Sequence, residues 1–201
     1  MAFSQLPISL NSISEIYYYM ASPSKEEKIL QLLLENSPMR QWHFNEIVKE
    51  SKVTRAVANK WLKRYMKDGL IKRAKEKGKF PYFTCGIDNP AYVSKKKLMA
   101  LEQIYKSGFA EHLISLKQAK SVVLFGSFAR GDWHRGSDID IFIYGDKNGL
   151  DKSKYELKLK RQIEVHLFET KEEIRQIKTG LLKNVLNGYA IKGQMQDFME
   201  N

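Results

Sequence analysis

The sequence predicts an α+β chain built in two parts, and three observations predict it. Residues 24–86 read as three helices followed by a hairpin. Residues 121–143 read as two apolar strands around a Gly-Ser turn, the second carrying a pair of carboxylates. Charge divides the chain in a third way. Of a net +11, residues 51–100 hold 14 basic and 3 acidic side chains, against 4 and 6 in residues 1–50 and 16 and 14 in residues 101–201. One fifty-residue block therefore supplies the whole surplus and is suited to a polyanionic partner.

Composition sets the outer bounds. A length of 201 residues with 43% hydrophobic content fills two small cores. No apolar run approaches the roughly 18 residues of a membrane span. Cys85 is the single cysteine, which rules out an intrachain disulfide. The first twenty residues lack Lys and Arg and any cleavage-like site, so a reducing, cytoplasmic setting is the expectation.

Residues 1–23 form an N-terminal extension containing Tyr17, Tyr18 and Tyr19. They fit a helix packed on the body or on a second subunit, a homodimer in the latter case. Ser24 and Glu27 have capping-box spacing ahead of Ile29, Leu30, Leu32, Leu33 and Leu34, and Asn36-Ser37-Pro38 ends that helix. A second helix fits His43 to Glu50. Thr54 caps a third, which stops at Asp68-Gly69. Its two faces are distinct: Val57, Ala58, Trp61, Leu62, Tyr65 and Met66 on one arc, Arg55, Asn59, Lys60, Lys63, Arg64 and Lys67 on the other. Leu70 to Arg73 and Phe80 to Cys85 read as strands joined by a turn at Lys75–Lys79.

Three helices followed by a basic hairpin resemble a winged helix-turn-helix domain, over about residues 24–86. The resemblance rests on element order and charge. It implies that the third helix enters a DNA major groove while the hairpin, or wing, touches the backbone. The DNA-binding residues are then Arg55, Asn59, Lys60, Lys63, Arg64 and Lys67 of the helix and Lys75, Lys77 and Lys79 of the wing, with Lys72 and Arg73 extending the footprint. Asn59 both donates and accepts, as base reading requires, whereas lysines suit phosphates. A solvated basic face and a winged helix used for protein contacts are the competing readings.

Residues 87–108 read as a linker around Pro90 and a connecting helix capped by Ser94; residues 109–201 make up the second domain, opening with a helix from Phe109 to Gln118. There Ser121-Val122-Val123-Leu124-Phe125 is a buried strand ending at Gly126-Ser127. After ten further residues comes Asp138-Ile139-Asp140-Ile141-Phe142-Ile143. Period two puts Asp138 and Asp140 on one face, roughly 7 Å apart at Cα. Like charges so placed repel unless a cation joins them, and oxygen ligands at this spacing suit magnesium. Gly126 allows close approach of the backbone to a triphosphate, Ser127 offers a hydroxyl and an amide, and a helix starting near Phe128 brings its positive end. Arg130 adds a charge. Two metal ions need a third carboxylate. Glu164, flanked by apolar residues in Ile163–Phe168, has the pattern of Asp140 and can orient or deprotonate an attacking hydroxyl.

Gly126-Ser127, the spacer and Asp138-Ile139-Asp140 resemble the signature of the polymerase-β-like nucleotidyltransferases. The stretch Gly126 to Asp132 resembles their minimal nucleotidyltransferase branch. The match covers about residues 109–190. It implies a small mixed sheet flanked by helices, Ser127 on the terminal phosphates, two Mg2+ on Asp138 and Asp140, one of them also on Glu164, and transfer of a nucleoside monophosphate with release of pyrophosphate. Glu164 departs from the Asp of many relatives. His134, Trp133, Arg135, His166 and the run Lys158, Lys160, Arg161 each fit a substrate contact or an ordinary packed or solvated role. A C-terminal helix, about Lys171 to Asn187, turns Ile174, Ile177, Leu181, Leu182 and Val185 inward.

The functions implied are an enzyme and a regulator. The enzyme transfers AMP from ATP, or another NTP, to an acceptor. In the minimal branch that acceptor resembles a HEPN-type toxin protein, modified on tyrosine by its antitoxin. The regulator binds DNA and senses nucleotide or partner without turnover. Modification of tRNA or an antibiotic usually needs extra substrate-binding elements, which are not recognisable here.

Overall fold

The computed structural model describes residues 24–199, so the reading of residues 1–23 lies outside the described residues. Helix α1 (Lys25–Glu35), strand β1 (Trp42–His43), helices α2 (Phe44–Ser51) and α3 (Arg55–Lys67), and strands β2 (Ile71–Ala74) and β3 (Tyr82–Cys85) come first. The strands form an antiparallel sheet in the order β1-β3-β2. The Ser24 hydroxyl accepts from the Glu27 amide at 3.1 Å and the Glu27 carboxylate accepts from the Ser24 amide at 2.6 Å, which fixes the start of α1. The Thr54 hydroxyl caps α3 by accepting from the Val57 amide at 3.4 Å, without a reciprocal carboxylate. Ile29, Leu33, Leu34, Trp42, Ile47, Ala58, Leu62 and Phe83 share one apolar core. Arg55, Asn59, Lys60, Lys63, Arg64 and Lys67 all lie exposed on the opposite side of α3. Gly78 turns the hairpin at φ +77°, a conformation that favours glycine.

Pro90 does not sit in a linker. It opens α4 (Pro90–Lys106), where its missing N–H costs nothing at the first helical position, and Asn89 caps by accepting from the Ala91 amide at 2.9 Å. Tyr92 belongs to the first core, whereas Ala100 and Ile104 belong to the next, so this one helix is built into both. Helix α5 (Phe109–Ser115) leads into β4 (Ala119–Phe125), α6 (Gly126–Arg130), β5 (Ile139–Gly145), α7 (Lys152–Leu159) and β6 (Ile163–Phe168). Then follow α8 (Lys171–Arg175), α9 (Thr179–Leu186), β7 (Tyr189–Lys192) and α10 (Gln196–Met199). The expected C-terminal helix is thus two helices, because the backbone at Lys178 is extended and caps α9 anew. Helix α6 starts at Gly126 rather than near Phe128. Strands β1 and β7 and helix α7 are too short, or too weakly periodic, to stand out in the sequence.

The second sheet runs β6-β5-β4-β7, with β5 and β6 parallel and the other neighbours antiparallel. This is a small mixed sheet flanked by helices. One face carries Val122, Leu124, Ile139, Ile141 and Ile143 against α4, α5 and α7. The other carries Val123, Phe125, Phe142 and Tyr144 against α8, α9 and α10. Among the described residues no helix is long and apolar enough to cross a membrane.

The two cores meet at a buried lysine. Lys96 of α4 donates to the carbonyl of Leu34, at the end of α1, at 2.9 Å, and to the carbonyl of Trp133 in the loop before β5. The Trp133 indole N–H donates back to the Lys96 carbonyl at 3.0 Å, and its ring centre lies 4.3 Å from the ammonium. Burial pushes the Lys96 ammonium from 10.5 down to about 8. Between those values the unfolded chain binds a proton that the native chain lacks, so native stability rises with pH across that window. Lys96→Met removes this proton. Urea unfolding at a series of pH values should show wild-type stability gaining on the variant by on the order of 1–3 kcal/mol from about pH 8 to about pH 10. Parallel curves would contradict the buried charge.

Candidate active site

Three strands deliver the site in one row. Phe125 of β4 pairs with Asp140 of β5, and Asp140 pairs with Glu164 of β6. Pairing residues share a face of the sheet, so both carboxylates project from the face that also bears Phe125. His166 follows two residues after Glu164 and returns to that face beside Phe142. Ligand atoms of Asp140, Glu164 and His166 all lie within 4.8 Å of one another. His166 Nε2 is 3.2 Å from Glu164 Oε1, and its ring meets Phe125 edge-on at 5.2 Å. Two carboxylates and an imidazole in this space are a donor set that fits a divalent ion.

Beside this row the chain leaves β4 through Gly126. A Cβ built there would sit 1.9 Å from Asp140 Oδ2, and the backbone holds φ +69°. Glycine is required on both counts. Ser127 follows, half-buried in the first turn of α6, and its carbonyl accepts from Gly131 and Asp132. Arg130, at the end of the same turn, is exposed and pairs with Asp132 at 3.2 Å. It is near enough to Asp140 to favour the ionised carboxylate. The dominant effects on Asp140 run the other way. Burial first, then the Glu164 charge, push its pKa up, with Asp138 adding a smaller repulsion and His166 opposing it.

Asp138 stands one residue before β5, exposed, and outside the Asp140–Glu164–His166 cluster. It instead lines, with Glu164, a cleft of about 820 Å³ along α7, where Glu156, Lys160 and Arg161 also contribute. Trp133 is fully buried and stacked on Phe128 at 5.1 Å, so its role is packing. His134 and Arg135 are exposed loop residues; the Arg135 guanidinium lies 3.8 Å from the Glu35 carboxylate. Lys158 donates to the Ser107 carbonyl at 2.6 Å, and Lys160 closes α7 in a left-handed conformation. On α3 and the hairpin, Arg55 is drawn to Asn45 at 2.7 Å, Arg64 pairs with Asp68, and Lys79 pairs with Glu76. Lys75 and Lys77 are exposed beside them. His166 is the site member that sequence reasoning left open; its signal was the shared alternation with Glu164.

Residues 106–191 match the family described as the nucleotidyltransferase domain. That segment contains Gly126, Ser127, Asp138, Asp140, Glu164 and His166 and supports placing the second part of the chain in the polymerase-β-like nucleotidyltransferase superfamily. No curated protein matches the chain.

The crowded carboxylates generate a prediction about the metal-free protein. Because burial and the Glu164 charge both oppose ionisation of Asp140, Asp140→Asn removes an unfavourable interaction. Solvent screening keeps the gain to on the order of 0.5–1 kcal/mol. Differential scanning fluorimetry without metal should show the variant melting about 1–4 °C higher. Added manganese should then raise the melting temperature of wild type and leave the variant unmoved. A variant that melts lower without metal and still responds to manganese would show that the carboxylates do not form a cation site.

Proposed function

We propose that the chain is a metal-dependent nucleotidyltransferase that moves a nucleoside monophosphate, AMP from ATP, onto an acceptor and releases pyrophosphate. The observation that carries this reading is the meeting of Gly126 with Asp140 beside Glu164 and His166, within the segment that matches the nucleotidyltransferase domain. Asp138, Asp140 and Glu164 are the metal-binding carboxylates, with His166 placed to join them or to hold Glu164 in position. Asp138 joins by rotation of an exposed side chain at the strand's start. Gly126 and Ser127 receive the outer phosphates on backbone amide and hydroxyl, and Arg130 supplies a cation beside them. Magnesium ions held there, two in this reading, would neutralise the triphosphate and polarise the reacting phosphorus.

The chain's own part in the reaction is orientation and proton transfer. An acceptor hydroxyl oxygen bonds to the α-phosphorus while the bond from that phosphorus to the bridging oxygen breaks. The electron pair leaves on pyrophosphate, and the hydroxyl proton passes to the Glu164 carboxylate. The cleft that abuts Asp138 and Glu164 is the approach for that acceptor. In this reading the acceptor is a partner protein. By its resemblance to the minimal branch, that partner is a HEPN-type toxin.

The N-terminal unit is proposed as a winged helix that binds DNA. Its support is the order α1-β1-α2-α3-β2-β3, the sheet order β1-β3-β2, and the exposed basic arc of α3. Arg73 of the hairpin and Arg55, Asn59 and Lys63 of α3 line one groove between the two elements. The division into 24–86, 87–108 and 109–201 belongs to the same proposal, with α4 as the shared element.

Two experiments test these readings. Incubation of the full chain, α-labelled ATP and magnesium with the protein encoded next to it should label that protein. Asp138→Asn with Asp140→Asn should keep the fold and cut labelling at least about 100-fold. Tight ATP binding with no labelling of any protein would favour a nucleotide-sensing regulator. For DNA, titration of upstream operon DNA at several salt concentrations should show affinity falling steeply with salt. Lys63→Ala should lower the salt slope by about 1 for all sequences, and Asn59→Ala should relax sequence preference. Absence of binding at low salt would leave α3 and the hairpin as a protein-contact face.

A further inference from the structure

Arg161 lies where the two carboxylate-bearing strands begin, yet it touches neither carboxylate. It follows Lys160, whose left-handed backbone ends α7, and it precedes Glu164 by three residues. Its terminal nitrogen Nη1 donates to the carbonyls of His134 at 2.6 Å, Arg135 at 2.8 Å and Ser137 at 3.1 Å. The last of these carbonyls belongs to the residue just before Asp138. The guanidinium carbon sits 5.2 Å from the ring centres of both Phe128 and Trp133. Those rings are buried and stacked on each other, so the guanidinium plane has a rigid seat. The next residue, Gln162, accepts from the Ile139 amide at 2.9 Å, which ties the same two chain segments a second time.

The loop that Arg161 gathers is fixed on its other side too. Lys96 holds the Trp133 carbonyl, and the Arg135 amide donates to the Glu35 carbonyl of α1 at 2.7 Å. Trp133 to Ser137 is therefore clamped between the end of α1 and the start of β6. We propose that Arg161 is a positioning residue for the metal site: by holding three carbonyls of this loop it sets Asp138 at a fixed distance from Glu164. The inference rests on the nucleotidyltransferase reading and adds to it a residue outside the reacting groups. A guanidinium differs from an ammonium here in the wide, weakly hydrated plane that it lays beside the stacked Phe128 and Trp133 rings, while Nη1 shares its two N–H donors among the three carbonyls.

The test is manganese affinity in the full chain, read by electron paramagnetic resonance of the free ion, with wild type, Arg161→Ala and Arg161→Lys. Groups that orient metal ligands typically contribute about 10–100-fold in affinity or activity. The alanine variant should bind manganese at least about 10-fold more weakly, and the lysine variant should recover part of the loss. Amide exchange at residues 134–138 should speed up in both. Should the alanine variant not fold, Arg161→Lys carries the comparison alone, with weaker binding than wild type expected. Unchanged affinity in a folded variant would reduce Arg161 to a packing role and overturn the proposal. Wild type that binds no manganese would instead remove the metal-site reading, and this proposal with it.

Discussion

A methyl group at position 126 would lie 1.9 Å from Asp140 Oδ2, well inside contact distance, and the backbone there is left-handed. The absence of that methyl lets the turn after β4 press against the carboxylate row. The β4–β5 register sets Phe125 opposite Asp140, and the β5–β6 register sets Asp140 opposite Glu164. Ser127 follows Gly126 in the first turn of α6. A bulkier residue would force the turn away from Asp140.

Gathering charge in this way is unfavourable by itself. Asp140 is half-buried with Glu164 beside it, and both push its pKa up. Apart from His166 the rest of the face is apolar, with Phe125 and Phe142 packed in a core that α8, α9 and α10 cover. A sheet face that is hydrophobic along most of its length and acidic at one end has its acidic end open for a reason other than stability. A cation bound there would relieve the repulsion that the fold has built in.

The motif was legible because its physics is local. A strand has period two, so Glu164-Val165-His166 shows which residues share a face before any fold is known, whereas Asp138 stands one residue before β5 and outside the cluster that Asp140 joins. The third helix was legible for the same reason: its apolar and basic arcs separate at the helical period, and the basic arc is exposed. Arg161 and Lys96 were not legible. A cation in a basic stretch reads alike whether it is solvated or seated among carbonyls, and only the packing of α4 and α7 against the Trp133–Ser137 loop decides. Pro90 misled because a proline marks either a linker or a first helical turn; Asn89 ahead of it was the signal for the turn. The C-terminal stripe from Ile174 to Val185 kept its period while the backbone broke at Lys178, since apolar spacing does not report an extended residue between two helices.

The central claim is that one ion joins the carboxylates of Asp138 and Asp140 to nucleotide phosphate across the Gly126 turn. Its most direct measurement is pulsed electron–nuclear double resonance on manganese and ATP bound to the full chain, with aspartate labelled with carbon-13 at the side-chain carboxyl. The account predicts carbon-13 and phosphorus-31 couplings on the same ion, with the carbon coupling lost when Asp138 and Asp140 are both changed to Asn. Phosphorus coupling without any carbon coupling in wild type would mean that the nucleotide's metal does not rest on these carboxylates, and would contradict the claim.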